Sequence, residues 1–326
     1  MSLDLEILGA LRKAGTGSIS GAELSQGLKV SRAAIWARIQ ELRDLGFDIE
    51  ASPHHGYRLL SSPDLLLADD LLARLGGGFT IGRDIRVFQE TTSTNDIVEK
   101  LARDGVKEGV AVFAESQTKG RGRLGRTWLS PNRKGLWFSL LLRPQLRPQE
   151  ATRLTVCSAI ALRRAIAGLT GVSPEIKWPN DILIHGRKTA GILTELQAEL
   201  DQVRYLVLGM GVNVNQTASD FTPELAKVAT SLRLESRHTI ARPELAVAIL
   251  RELNSDYARL KEGKFNEIAD EWESFCTTLG HQIVLRTGGR EIRGRAEALN
   301  DDGSLLLRTE HGRLEPVIGG DVTLVK

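Results

Sequence analysis

The apolar residues of this chain change their period twice, and those two changes narrow the folds open to it. Up to about residue 46 the period is helical. Leu5, Ile7, Leu8 and Leu11 form one stripe, and Ser20 stands where an N-cap would open a short helix carrying Ala22, Leu24 and Leu28. Ser31 stands before a third stretch in which Ile35, Ile39 and Leu42 recur at i, i+4 and i+7, closed by Gly46. Short extended runs, Phe47 to Glu50 and Tyr57 to Leu60, then flank Pro53, His54, His55 and Gly56, the pattern of a hairpin. From Leu65 to about Phe275, β-branched runs such as Val110 to Phe113, Leu136 to Leu142 and Tyr205 to Leu208 alternate with helical stretches near Asn95 to Arg103, Ala151 to Ala167 and Pro243 to Leu260. After Leu279 only short strands remain, separated by turns at Gly288-Gly289, Asp301-Asp302-Gly303 and His311-Gly312.

Helix, tight turn, helix and hairpin in that order predict a winged helix-turn-helix over residues 1–63, with Ser61 to Asp64 as a linker. A central α+β domain on a mostly antiparallel or mixed sheet follows over 64–277, and a small β-barrel of SH3-like size over 278–326. A chain of 326 residues has room for these three units. With 43 basic and 41 acidic residues, it is not a polyanion binder as a whole, so any nucleic-acid contact has to be local. The third helix offers such a place, because Arg32, Trp36, Gln40 and Arg43 lie beside its apolar stripe; the alternative is a solvated face with Trp36 partly buried. Cys157 and Cys276 are far apart and lack metal spacing, which predicts two reduced core residues. The acidic, apolar first residues do not read as a signal peptide, and the longest apolar run, near Leu136 to Leu142, is short and interrupted by Ser139; a cytoplasmic protein without membrane contact is expected.

Three clusters carry chemistry. Gly120-Arg121-Gly122-Arg123-Leu124-Gly125-Arg126 satisfies G-x-G-x-x-G, but the residues after it, Thr127-Trp128-Leu129-Ser130-Pro131, have no helical period, and no GK[ST] follows. Neither a dinucleotide fingerprint nor a Walker loop is present. What remains is a glycine loop whose three arginines can fork onto phosphate or carboxylate oxygens, unless it is merely a solvated basic loop. In Lys177-Trp178-Pro179-Asn180-Asp181, followed by Lys188 and Gly191, the Trp-Pro step is expected to be extended, and the lysine and aspartate either form a structural ion pair or act on a ligand. Thr91-Thr92-Ser93-Thr94-Asn95 sits between a strand and a helix, where it either caps the helix or meets a small polar heterocycle. Gly209-Met210-Gly211-Val212-Asn213 ends a strand on two glycines, a place for close backbone approach.

In this order, over about residues 85–215, the clusters resemble the bifunctional biotin protein ligase and biotin-operon repressor family. The resemblance implies a catalytic domain of the biotin/lipoate ligase type. It implies that Ser93, Thr94, Asn95 and Gln117 meet the biotin head, and that Gly120, Arg121, Gly122, Arg123 and Trp128 close over biotin and its adenylate. It further implies that Lys188, with Gly191 and Asn213 nearby, reaches the carboxylate and α-phosphate, and that Asn180 and Asp181 lie on the nucleotide side, Asp181 being also the one Mg²⁺ ligand. Catalytic roles then fall to Lys188, Arg123 and Asp181. The substrates implied are biotin and ATP with Mg²⁺, without a tightly bound prosthetic group. The partners are a biotin carboxyl carrier domain, operator DNA and a second copy of the chain when the adenylate is bound. A lipoate or octanoate ligase or transferase, and a biotin-sensing repressor without transferase activity, are the competing expectations.

Overall fold

A computed structural model describes residues 2–52 and 55–325; Pro53 and His54 of the expected hairpin turn lie outside them. The head consists of α1 (Leu3–Ala14), α2 (Gly21–Leu28), α3 (Arg32–Asp44) and the antiparallel strands β1 (Asp48–Ser52) and β2 (Gly56–Ser61). All three serines at the helix starts act as caps: Ser2, Ser20 and Ser31 accept from the amides of Leu5, Glu23 and Ala34, and Glu23 returns a bond to Ser20, completing a capping box. Ile7, Leu8, Leu11, Leu24, Ile35, Ile39, Leu42, Phe47 and Ile49 make a core of the head's own. At Gly56 φ is +83° and a Cβ would lie 2.2 Å from the Ile19 carbonyl oxygen, so only glycine lets the wing close onto Ile19.

Ser61 to Asp64, expected to be a linker, is bonded on both sides. Arg12 of α1 donates to Ser62 Oγ at 2.9 Å, while Asp64 accepts from the Arg242 amide at 2.8 Å and side chain at 3.1 Å. The next helix, α4 (Ala68–Leu75), serves both units. Leu67 and Ala73 pack on the head core, Leu71 and Leu75 belong to the central core, and buried Asp70 accepts from Arg12 and Arg74.

The central sheet is built from β3 (Asp84–Thr91), β4 (Val110–Gln117), β5 (Gly135–Leu142), β6 (Glu175–Lys177), β7 (Asp181–Ile184), β8 (Arg187–Ala198) and β9 (Val203–Asn213), in the order β3-β4-β5-β9-β8-β7-β6. The β3–β4 pair is parallel because α5 (Thr94–Arg103) crosses between them; the other neighbours are antiparallel. Strand alternation then divides the residues. Leu206, Leu208, Met210 and Val212 of β9 face the core under α6 (Thr152–Thr170), whereas Tyr205 and Val207 face α5. Short helices α7 (Pro223–Ala226) and α8 (Leu232–Ser236) lead to α9 (Arg242–Lys261) and α10 (Phe265–Ser274), which complete the cover on the α6 side. The last unit is a five-stranded antiparallel sheet, β10 (Gln282–Thr287), β11 (Arg290–Leu299), β12 (Leu305–Thr309), β13 (Leu314–Val317) and β14 (Asp321–Leu324), in the order β13-β12-β11-β10-β14. Its buried Ile283, Leu285, Ala296, Leu305 and Leu307 belong to the same core as the central sheet. Cys157 is buried, Cys276 partly so, and both are free. No helix among the described residues is long and apolar enough to cross a membrane.

Candidate active site

On the α5 side of the sheet the alternation that buries Tyr205 and Val207 reaches Gly209 and Gly211, and across β8 it reaches Gly191. With no side chains there, the sheet surface becomes a shelf. A Cβ at Gly209 would stand 2.3 Å from Asn95 Oδ1, and one at Gly211 would stand 2.5 Å from Trp128 Nε1. The close approach foreseen for these glycines is therefore made first by two of the chain's own side chains. Above the shelf lies a cleft of about 610 Å³, within the size range of small-molecule sites.

At one end, Ser93, Thr94 and Asn95 open α5 and are all buried. Ser93 occupies the N-cap position yet makes no side-chain cap bond, so the capping alternative does not account for it. The Thr94 amide donates to Gln117 Oε1 at 2.8 Å, Thr94 Oγ1 lies 2.6 Å from Ser139 Oγ, and Ser139 donates to Asn95 Oδ1 at 2.5 Å. Asn95 Nδ2 donates to Glu195 at 2.6 Å, and Gln117 Nε2 to Ser130 at 2.9 Å. Ser139, Ser130 and Glu195 were not singled out from the sequence. Ser139 carried a signal nonetheless, being a polar residue in a strand that is buried along its whole length.

The arginine loop folds back on itself: the Trp128 amide donates to the Gly120 carbonyl at 2.9 Å and the Gly122 amide to Arg126 at 2.7 Å. Gly120 does not line the cleft. A Cβ there would strike the Trp128 carbonyl at 2.4 Å, so its part is to let the loop close. Thirteen of the fourteen residues expected at the catalytic, biotin and nucleotide positions do line it, Gly120 being the exception. Their cations are held differently. Arg121 pairs with Asp96 at 2.6 Å, Arg126 with Asp321 of β14, and Lys188 with Asp181 at 2.6 Å. Arg123, among the described residues, has no carboxylate within ion-pair distance; it donates to Asn180 Oδ1 at 3.0 Å, and burial pushes its pKa below the ordinary guanidinium value. Asn180 is fixed for this by bonds to both sides of Ile192: its Nδ2 donates to the Ile192 carbonyl at 2.7 Å, and the Ile192 amide donates to its carbonyl at 3.0 Å. Lys188 Nζ also stands 5.2 Å from the Trp128 ring centroid.

Two walls were not legible as motifs. Phe221, Leu225, Val228 and Ala229 form an apolar cover, and Arg286, Gly320, Asp321 and Val322 of the C-terminal sheet form another side. The Trp178–Pro179 bond, expected in an extended segment, is cis. Four buried polar atoms of lining residues, Trp128 Nε1, Trp178 Nε1, Asp181 Oδ1 and Gln216 Oε1, have no hydrogen-bond partner among the described residues, Asp181 Oδ1 being met only by its ion pair with Lys188, which marks a cleft shaped for a polar ligand. Among the described residues no three His, Cys, Asp or Glu side chains gather as a metal cage, and the carboxylate expected to hold Mg²⁺, Asp181, is engaged by Lys188. The donors suit only an ion that brings most of its own ligands, as Mg²⁺ does on nucleotide phosphates.

In the head, Trp36 is 59% exposed rather than partly buried, and Arg32 is exposed with no ion-pair partner among the described residues. Arg43, expected among the DNA contacts, donates from Nε and Nη2 to the Ile49 carbonyl at 3.0 and 2.5 Å, because α3 lies against β1, and so ties the wing to α3. Gln40 is half-buried.

Comparison with known proteins agrees with this geometry. Residues 87–213 match the model of the biotin/lipoate A/B protein ligase family, residues 4–58 that of an HTH domain, and residues 278–325 that of the biotin protein ligase C terminal domain. The bifunctional ligase/repressor BirA of Bacillus spizizenii is 37% identical over 324 residues, 99% of each chain. That of Escherichia coli is 32% identical over 306 residues, 94% of this chain and 92% of the other. The solved biotin protein ligase from Aquifex aeolicus in complex with biotin and ATP superimposes with a TM-score of 0.64 at 31% identity, covering 75% of this chain and 99% of that one.

Proposed function

The chain belongs to the family of bifunctional biotin ligases and repressors, and on that footing we propose that it condenses biotin with ATP to biotinyl-5′-adenylate, passes the biotin to a lysine of a carrier domain, and represses transcription through its head. The observation that carries the reading is the meeting of Lys188 and Arg123 in one cleft with the Ser93-Thr94-Asn95-Gln117 cluster. Joining a carboxylate to the α-phosphorus brings two anions together, which only convergent positive charge makes feasible. Lys188 and Arg123 supply it, Lys188 by exchanging Asp181 for the ligand's oxygens, Arg123 from a site where no carboxylate has to be displaced. Polar groups of Thr94, Asn95 and Gln117, already ordered by Ser139 and Ser130, bind the ureido head of biotin without further reorganisation. Mg²⁺ on the ATP phosphates would neutralise the departing pyrophosphate; of the carboxylates lining the cleft, Asp181, Asp220 and Asp321, Asp181 is the one beside Lys188.

The adenylate is a mixed anhydride, and the loop with Trp128 above and the Val228-Ala229 cover beside it shield it from water. The acceptor lysine has a reference pKa of about 10.4 and must lose a proton before it attacks. Asp181, released once Lys188 turns to the phosphate, accepts that proton. A cytoplasmic location and dimerisation of the adenylate-bound chain are part of the same reading. The test is incubation with ATP, Mg²⁺ and either biotin or lipoate, with mass detection of the acyl-adenylate and of an acylated carrier domain. Biotin-specific adenylate and carrier labelling, both slowed by orders of magnitude in Lys188→Ala, are expected. Lipoyl products, or normal single-turnover adenylation in Lys188→Ala, would overturn it.

A further inference from the structure

Lys188 is placed by more than its own strand. Its amide donates to the Val228 carbonyl at 2.8 Å, and its carbonyl accepts from the Thr230 amide at 2.9 Å, so the cover segment runs beside β8 as a short parallel bridge at this one residue. Asn213 Nδ2 at the end of β9 donates to the Thr230 carbonyl at 3.0 Å and ties the bridge to the sheet. The side chains flanking the bridge converge on a single carboxylate, that of Glu235 in α8, which is 6% exposed. Glu235 Oε1 accepts from Arg187 Nη2 at 2.6 Å and from Thr230 Oγ1 at 2.5 Å, and Oε2 lies 2.8 Å from His185 Nδ1. Burial alone would raise its pKa, but the bonds from Thr230 and His185 and the charge of Arg187 bring it below the ordinary glutamate value, leaving it anionic at neutral pH.

We propose that Glu235 is a positioning residue for adenylate formation: by clamping Arg187 and Thr230, the residues beside and across from Lys188, it fixes where the Lys188 ammonium stands. The proposal rests on the ligase reading above. Glu235 touches none of the reacting atoms; its effect passes through the backbone of residue 188. Removing the carboxylate leaves Arg187 and the Thr230 hydroxyl without their shared partner, so the cover segment and β8 lose their fixed spacing. The Lys188 amine then samples positions off the line of the developing charge, where small misplacements are costly. The biotin-head residues are not part of this clamp, so biotin binding stays as it was.

The experiment is single-turnover adenylation by the full chain with biotin and ATP, comparing wild type, Glu235→Ala, Lys188→Ala and the double variant, each checked for an intact thermal transition. Glu235→Ala is expected to slow adenylation roughly tenfold or more with an unchanged biotin KM, and to have no further effect when Lys188 is already alanine. Thr230→Val, which removes only one arm of the clamp, should show the same pattern more weakly, and Thr230→Ser should restore the rate. If Glu235→Ala does not fold, the Thr230 pair decides in the same cycle. A wild-type rate in the single variants, or equal slowing with and without Lys188, overturns the proposal alone. A wild-type chain that makes no biotinyl-adenylate overturns the ligase reading and the proposal with it.

Discussion

The two flanking units bracket the same catalytic sheet, yet they are attached in opposite ways. The head closes a core of its own around Ile35 and Leu42, and it meets the rest of the molecule through α4 and the Arg12, Asp70 and Ser62 contacts. The C-terminal sheet has no separate core. Ile283, Leu285, Leu305 and Leu307 are continuous with the central one, and β14 walls the cleft. A self-contained core makes a unit separable, whereas a shared one makes it a layer of its neighbour. The first largest effect should therefore come from the tail. Deleting 278–326 uncovers central-core residues, each buried large apolar side chain being worth about 1.5–3 kcal/mol, and also removes Thr278, which holds the Trp178 amide at 3.1 Å. Loss of the cooperative thermal transition and of adenylation is expected; a truncated chain melting as the full one does would break the contrast.

Deleting 1–63 should do the reverse. The remaining chain keeps every cleft residue and makes adenylate, while footprinting of operator DNA disappears. The docked linker tempers this: the truncation leaves Leu67 and Ala73 without the head core and takes Arg12 from Asp70, so the transition should shift down by a few degrees without being lost. Unchanged footprinting, or a folded fragment without adenylation, would show that the head is not the separable unit.

How much of this was legible in the sequence follows the same division. The head is local structure, and local signals found it: the capping serines Ser20 and Ser31, a glycine stop and a helical stripe appear at the places the sequence indicates, while the cap at Ser2 was not foreseen. The cleft was legible where short clusters carry it, as in Arg123 or Lys188. It was not where a wall is assembled from distant segments without a motif, as with Phe221, Val228 and Asp321. Partner choice was the other blind spot. Nothing local says that Arg43 bonds the Ile49 carbonyl while Arg32 has no ion-pair partner among the described residues, or that Asp64 is held by Arg242, 178 residues away. Gly120 was placed in the cleft because its neighbours are there, although its work is steric.

At the hinge of the comparison stands Arg12. Arg12→Ala leaves buried Asp70 with Arg74 alone, at a cost of about 1–3 kcal/mol for a weakened buried acceptor, read as a lower thermal midpoint of the full chain. Equal midpoints for Arg12→Ala and the parent full chain would mean that the head rests on α4 by apolar contact alone. Within the head itself, Arg32→Ala should weaken operator binding and lower its salt slope by about one if the guanidinium meets phosphate. Arg43→Ala should act through the wing instead, losing affinity without that change of slope; identical slopes for both variants would contradict the separate roles.

The smallest effect should come from the ion pair that spans the tail and the arginine loop. Arg126 and Asp321 are 64% and 41% exposed, and an exposed pair contributes at most about 1 kcal/mol, less in salt. If the C-terminal sheet is integral because of its core, Asp321→Asn should leave the thermal midpoint nearly unchanged at 0.15 M salt, in contrast to the truncation. The pair does hold the loop against β14, close to where Arg123 passes Gly319, so its loss should appear in loop closure as a modestly faster release of adenylate that high salt reproduces in the parent chain. A large drop in midpoint on Asp321→Asn would mean that charge, not the shared core, fastens the tail, and the distinction between the two flanks would then have to be redrawn around Asp70 and Asp321, the two carboxylates at their seams.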